Sequence, residues 1–203
     1  MDSSIEVNQS LVELVEKIRP SIVRIQTSLH GFGTGTVWHP DGLIITNAHV
    51  VSGKKASIVL ADNAKTEANV IAVSRRLDLA ALKVECGQLP AVELGTSGDL
   101  KPGSIVVAMG FPWGASDGAT MGVFIGMNQA WGPGAKGGRE LIAASLHLRP
   151  GHSGGPMVDA AGRLVGINTM MNGPNVGVAI PVDDAKGWLK KALARRHDRI
   201  MNA

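Results

Sequence analysis

Three residues of this sequence have types and an order that could carry out acyl transfer. Ser153 stands among glycines in Arg149-Pro150-Gly151-His152-Ser153-Gly154-Gly155-Pro156. Glycines on both sides let the chain turn sharply, present a hydroxyl at a surface and bring backbone N–H groups beside it. A serine hydroxyl is a weak nucleophile at neutral pH. It needs a general base, and the base needs a group that fixes its tautomer and offsets its charge. His49, in Thr46-Asn47-Ala48-His49-Val50, and Asp78, in Leu77-Asp78-Leu79-Ala80-Ala81-Leu82-Lys83-Val84, supply those types upstream. The order His, Asp, Ser carries information, because unrelated folds that converged on this chemistry run the three residues differently along the chain.

The elements that must position these residues are mostly strands. Leu11, Leu14, Val15 and Ile18 fall at helical spacing, with Ser10 and Glu13 as a capping box and Pro20 as a stop, and predict a short N-terminal helix. Ile22 to Ile25, Gly33 to Trp38 and Leu43 to Thr46 read as strands, with His39-Pro40-Asp41-Gly42 as a turn that delivers His49 just past a strand end. Ala56 to Leu60 and Thr66 to Val73 form a second hairpin, and Leu77 to Val84 is a strand with Asp78 at its start. Gln88 to Lys101, with Pro90, Gly95 and Gly98, reads as a crossover between two halves. Ser104 to Met109, Met121 to Asn128, Glu140 to Leu146, Met157-Val158, Arg163 to Thr169 and Val176 to Val182 follow as strands, and residues 131–138 are too glycine-rich to be anything but loop. A closing helix has Asp183 and Asp184 at its start and basic residues at its end, as the helix dipole favours. Short strands with a turn about every ten residues and little helix predict an all-β barrel or sandwich.

Composition narrows the rest. The 203 residues suit one structural unit, and 44% hydrophobic with 18% charged residues suits an ample core. A formal net charge of +3, interspersed, gives no support to nucleic-acid binding. The single cysteine, Cys86, excludes an intramolecular disulfide and reads as a packed or merely neutral thiol. The histidines show no metal-ligand spacing, so neither metal nor cofactor is expected. No stretch is apolar enough to span a bilayer, and the first residues lack the features of a secretory signal; localisation stays open.

The motifs TNAHVV, LDLAALKV, LGTSGDLKPGSIVVAMGFPWG and RPGHSGGPMVDAAGRLVGINTM followed by GVAIPV resemble the HtrA (Deg) branch of chymotrypsin-like serine proteases, in register from about residue 11 to 190. The resemblance implies an all-β, chymotrypsin-like double β-barrel with a short N-terminal helix and a C-terminal helix. Its parts would be an N-terminal segment over 1–20, a first barrel over 21–88, a crossover over 89–103, a second barrel over 104–182 and a helix with tail over 183–203. It also implies that Ser153 is the nucleophile, His49 the general base and Asp78 its orienting carboxylate, with the N–H groups of Gly151 and Ser153 as oxyanion hole. The S1 pocket would be walled by His147, Leu148, Ile167, Asn168, Thr169 and Val178. Those segments hold no carboxylate, so small to medium aliphatic P1 residues are expected, in unfolded or exposed peptide segments.

The comparison also marks departures. Members usually carry PDZ domains after the protease part, whereas this sequence ends at the terminal helix. Trimerisation in the family usually draws on aromatic residues near the N-terminus; none precedes Phe32, and a homotrimer stays open. Zymogens of this fold use an aspartate before the serine, and the family usually has asparagine there. Here the residue is His152, which leaves the loop's rigidity and pH response as questions. A catalytically idle, chaperone-like or peptide-binding module on the same fold is the alternative.

Overall fold

The computed structural model describes residues 3–26, 31–115, 118–128 and 140–201. Twelve strands close into two antiparallel barrels. The first contains β1 (Ile22–Gln26), β2 (Phe32–His39), β3 (Leu43–Thr46), β4 (Lys55–Val59), β5 (Lys65–Ser74) and β6 (Leu79–Val84), in the order β1-β2-β3-β6-β5-β4. The second contains β7 (Ile105–Gly110), β8 (Gly118–Asn128), β9 (Leu141–Ser145), β10 (Pro156–Asp159), β11 (Leu164–Met171) and β12 (Val176–Pro181), closed as β10-β11-β12-β9-β8-β7. Counted from β7, that order repeats the first barrel strand for strand. The double barrel and the two flanking helices agree with the resemblance.

Strand alternation explains how the barrels hold together. Successive side chains point to opposite faces. On β6, Leu82 and Val84 enter the first barrel's interior with Val23, Ile25, Val37, Ile44 and Ile58. Their neighbours Leu79 and Ala81 face the other way, into a central cluster shared between the barrels. On β7, Val106 and Ala108 fill the second barrel, while Val107 and Met109 join the central cluster with Ile167, Val178 and Ile180. The seam between the barrels is therefore apolar and buried on both sides. Each side chain of this kind contributes roughly 1.5–3 kcal/mol on burial.

The helices cap this seam. α1 (Ser3–Ile18) lays Leu11, Leu14, Val15 and Ile18 on the central cluster, and α2 (Val182–Met201) adds Val182, Ala185 and Leu189. α1 begins well before the expected capping box, which corrects that reading. Ser10 is mid-helix, and its Oγ donates to the Glu6 carbonyl at 2.9 Å, the local alternative open to a helical serine. Glu13 accepts from the Gln9 amide instead of capping. β6 also begins one residue past Asp78, which lies in the left-handed region at φ 53°. The loop read at 131–138 lies outside the described residues.

The crossover is bonded to both barrels. Val92 N–H donates to the Val37 carbonyl at 3.0 Å, and Gly95 N–H to the Leu164 carbonyl at 2.9 Å. Asp183 then pins it to α2: its carboxylate accepts from the Ser97 hydroxyl at 2.6 Å and from the N–H groups of Ser97 and Gly98 at 2.9 and 3.3 Å. Burial works to raise the Asp183 pKa, but the Ser97 hydroxyl, these amides and Lys186 hold it below the usual carboxylate range. A lowered carboxyl pKa contributes stability above the unfolded value of about 3.9 and loses it as pH falls through the folded one. Asp183→Ala should therefore cost about 1–2 kcal/mol at pH 7 by denaturant unfolding, a figure held down by the solvent screening that the carboxylate's partial exposure brings, with the gap to wild type closing below about pH 4. A gap that stays constant with pH would remove the carboxylate from this account.

Candidate active site

His49 and Asp78 meet at one end of the first barrel. Val50 N–H donates to the Asn47 carbonyl at 3.2 Å, and this turn after β3 presents His49. Asp78 follows a turn in which Leu77 N–H donates to Ser74 Oγ at 3.2 Å. Its left-handed backbone is a conformation that aspartate tolerates better than most residues. Asn47, fully buried, holds it there by donating its Nδ2 to the Asp78 carbonyl at 3.0 Å.

The Asp78 carboxylate collects three donors. His49 Nδ1 lies 3.0 and 2.9 Å from its two oxygens, the His49 N–H donates to Oδ1 at 3.1 Å, and Thr169 Oγ1 donates to Oδ2 at 2.8 Å. A carboxylate only accepts, so Nδ1 carries the hydrogen in the neutral ring and Nε2 keeps its lone pair. That is the tautomer a general base needs. Burial works to raise the Asp78 pKa; the His49 ring, then Thr169 and the His49 amide, hold it below the usual carboxylate range. His49 itself is half exposed, with 50% of its side-chain surface open to solvent.

Ser153 comes from the second barrel, in the connection between β9 and β10. Among the described residues its hydroxyl makes no hydrogen bond to His49. It donates instead to the Thr169 carbonyl at 3.0 Å. Thr169 thus touches both groups, Ser153 through its carbonyl and Asp78 through its hydroxyl. It was expected only as a pocket wall, and its side-chain role gave no signal in the sequence.

The turn before Ser153 is shaped by its neighbours. The Pro150 carbonyl accepts from Trp113 N–H at 2.9 Å. In a trans peptide the N–H points opposite to the C=O, so the Gly151 N–H faces away from Trp113. The Gly151 carbonyl accepts from Thr34 Oγ1 at 2.6 Å. Among the described residues, neither the Gly151 nor the Ser153 N–H has an intramolecular acceptor. Gly151 has φ 106°, and a Cβ there would sit 2.0 Å from the Phe111 carbonyl oxygen; Gly154 has φ 83°, and its Cβ would meet Thr34 O and Thr46 Oγ1 at 2.1 Å. Only glycine fits at either position.

Three threonines of the first barrel, all fully buried, support this loop, and the sequence shows them only as strand residues. Thr34 N–H donates to the Ser153 carbonyl at 2.8 Å, Thr36 Oγ1 to the Gly154 carbonyl at 3.1 Å, and Thr46 Oγ1 to the Thr34 carbonyl at 2.7 Å.

The residues expected to wall a pocket divide into two sets. His147 is exposed, with Nδ1 3.3 Å from Asn175 Oδ1, while Leu148 and Thr169 are 5% and 4% exposed. Ile167, Asn168 and Val178 are fully buried. Ile167 and Val178 belong to the central cluster, and the Asn168 amide donates to the Pro156 and Met109 carbonyls at 3.0 and 3.3 Å. These three therefore back the site from within the barrel. Among the described residues, no three His, Cys, Asp or Glu side chains converge to hold a metal ion.

Comparison with known proteins shows the family. The family profile described as a trypsin-like peptidase domain matches residues 33–167. Serine protease HTRA1 of Xenopus tropicalis is 34% identical over 93% of this chain and 43% of its own length, and human serine protease HTRA4 is 35% identical over 94% and 42%. The Arabidopsis thaliana chloroplastic protease Do-like 1 is 35% identical over 77% of this chain and 38% of its own length. The chain thus spans about two fifths of the length of the curated relatives it matches. Among solved structures, an HtrA-type protease with a bound tripeptide superposes with a TM-score of 0.80 at 29% identity, covering 87% of this chain and 61% of the other.

The hydroxyl that Thr169 places on Asp78 favours the charged carboxylate. Replacing it by an isosteric methyl in Thr169→Val should raise the Asp78 titration midpoint, read from its side-chain carboxyl carbon by NMR. An unmoved midpoint would show that this hydroxyl does not hold the carboxylate.

Proposed function

The chain belongs to the trypsin-like peptidase family, in its HtrA branch, and from that membership we propose that it is a serine endopeptidase working through an acyl-enzyme. The observation that carries the reading is the His49–Asp78 pair, which leaves Nε2 as the basic nitrogen of the ring, with Thr169 touching both Asp78 and Ser153. In the resting arrangement the Ser153 hydroxyl lies on the Thr169 carbonyl. A bound peptide's backbone N–H competes for that same carbonyl, and the displaced hydroxyl turns to His49 Nε2. Binding of an extended chain and arming of the nucleophile are then one event.

The steps follow from proton bookkeeping. Ser153 Oγ attacks the scissile carbonyl carbon as His49 Nε2 takes its proton. Asp78 stabilises the resulting imidazolium without accepting the proton itself. The oxyanion lies between the Gly151 and Ser153 N–H groups, a contribution worth about 3–4 kcal/mol per donor in related sites. His49 then protonates the leaving amine, and water repeats the sequence on the ester to release the acid and restore Ser153.

Substrate choice rests on the residues around the nucleophile. His147 is exposed beside the nearly buried Leu148 and Thr169, whose backbone carbonyl meets Ser153, and neither these nor Ile167, Asn168 and Val178 supply a carboxylate. A basic P1 side chain would be buried without a partner, which is costly, whereas a small or medium aliphatic one is not. Such residues in extended conformation are what unfolded proteins display. Unfolded chains are therefore the proposed substrates, in a quality-control role, with the homotrimer common in the family as the proposed assembly.

Casein digestion tests the reading. Wild type should cleave it and bind a fluorophosphonate at Ser153, while Ser153→Ala and His49→Ala should each lose about 10⁴-fold or more in kcat. Equal digestion by wild type and Ser153→Ala, or no cleavage and no label in the wild type, would leave the peptide-binding module as the function.

A further inference from the structure

His152 is the residue of the nucleophile loop that the mechanism above does not use. Its ring is 1% exposed. Its own N–H donates to the Arg149 carbonyl at 2.9 Å, and its Nδ1 accepts from the Arg149 N–H at 3.1 Å. The turn over residues 149–152 is thus closed twice by one residue, once through backbone and once through side chain. Nδ1 also lies 3.2 Å from the Arg149 carbonyl, whose oxygen the His152 N–H already uses. Nε2 is buried and has no partner among the described residues.

The closed turn is the piece of backbone that sets the direction of the Gly151 N–H. Pro150 and Gly151 lie inside it, and its outer edge is fixed by Trp113 N–H on the Pro150 carbonyl. We propose that His152 is a positioning residue for the oxyanion hole: its neutral imidazole supplies the side-chain closure of the 149–152 turn, and protonation removes it. The inference rests on the peptidase reading and goes beyond it. It concerns which protonation state of a residue outside the triad permits turnover.

The chemistry of release is direct. A protonated imidazole carries hydrogens on both ring nitrogens. Nδ1–H would then face the Arg149 N–H, donor against donor, so the side-chain closure is lost, while the His152 N–H keeps the Arg149 carbonyl and Nδ1–H is drawn to that same oxygen. Arg149 and His147, on the same loop, are the charged or titratable groups acting on the ring, and both oppose a proton. The Arg149 guanidinium lies over the Trp113 ring, 5.4 Å from its centroid. The neighbours packed against the turn from the β7–β8 connection are Gly110, Phe111, Pro112 and Trp113, and from β2 Thr34; none is ionisable. His49 and Asp78 lie beyond Ser153 and are already paired with each other. Burial holds the His152 pKa below the ordinary imidazole value, with the Arg149 and His147 charges adding to it against the Arg149 carbonyl. The side-chain closure therefore persists at neutral pH and is lost as pH falls through the lowered value.

The test compares wild type, His152→Asn and His152→Ala in cleavage of an aliphatic-P1 peptide ester from about pH 5 to 8, with Ser153→Ala as blank and fluorophosphonate labelling as a second readout. The amide oxygen that His152→Asn introduces can accept from the Arg149 N–H at any of these pH values, and an alanine methyl cannot. At pH 8, His152→Ala should lower kcat by about 10–100-fold with KM within about threefold, since the oxyanion hole acts in the transition state. His152→Asn should recover most of that loss and also hold its activity to lower pH than wild type. The protonation of His49 shapes both profiles, so their difference reports His152. Unchanged kcat in His152→Ala, or superimposable wild-type and His152→Asn profiles, overturns the proposal while leaving the peptidase reading intact. If His152→Ala does not fold, the two profiles decide alone. A wild type with no Ser153-dependent turnover removes both readings together.

Discussion

The site depends on one half-buried carboxylate being satisfied from three directions. Removing charge from water is costly, and Asp78 is sheltered enough that its ionised form must be stabilised where it stands. Two of its donors, the ring and backbone of His49, come from the first barrel, and the third, Thr169, comes from β11 of the second. The hydrogen bonds that keep Asp78 charged therefore also register the two barrels against each other. The barrels cannot slide without exposing or orphaning that charge. An apolar seam by itself gives no such register, because dispersion and area burial have little directional preference.

The repeated topology explains why the His49 and Ser153 connections face one another. Each barrel joins its third and fourth strands by a connection that leaves the barrel wall. In the first barrel that connection carries His49; in the second it carries Ser153. Packing two copies of one fold across a shared cluster brings equivalent connections to the same groove. Asp78 enters from the β5–β6 turn, and its left-handed backbone, held by Asn47, gives its carboxylate a fixed direction. Strain of this kind persists only where surrounding bonds over-determine it.

Much of this was legible in the sequence, and the unread parts share a cause. The strands announce themselves by apolar runs between Gly, Pro, Asn and Asp turns, and residue type and order single out Ser153, His49 and Asp78 as the proposed site. What the sequence concealed is where hydrogen bonds go when several partners compete. Ser10 and Glu13 have capping-box spacing, yet the helix extends back to Ser3 and the pair sits in its interior. Asn168 and Ile167 flank the site in sequence, but period-two alternation and the packing of β11 turn them into the second barrel and its seam. Thr169 looks like any strand threonine until the other barrel brings Asp78 within reach of its hydroxyl.

The same reasoning accounts for Thr34, Thr36 and Thr46, and shows why the nucleophile loop is not a property of the second barrel alone. A tight glycine turn directs several carbonyls inward, where no water is available to them, and each needs a donor. Aliphatic β-branched side chains would pack equally well at these strand positions but could not supply one. Threonine keeps the β-branched shape and adds the hydroxyl. Thr34 bonds the Gly151 carbonyl with its hydroxyl and the Ser153 carbonyl with its amide, and Thr36 takes the Gly154 carbonyl. The backbone on either side of Ser153 is consequently oriented by donors from the opposite barrel. It follows that barrel docking and the direction of the Gly151 and Ser153 N–H groups are one structural variable.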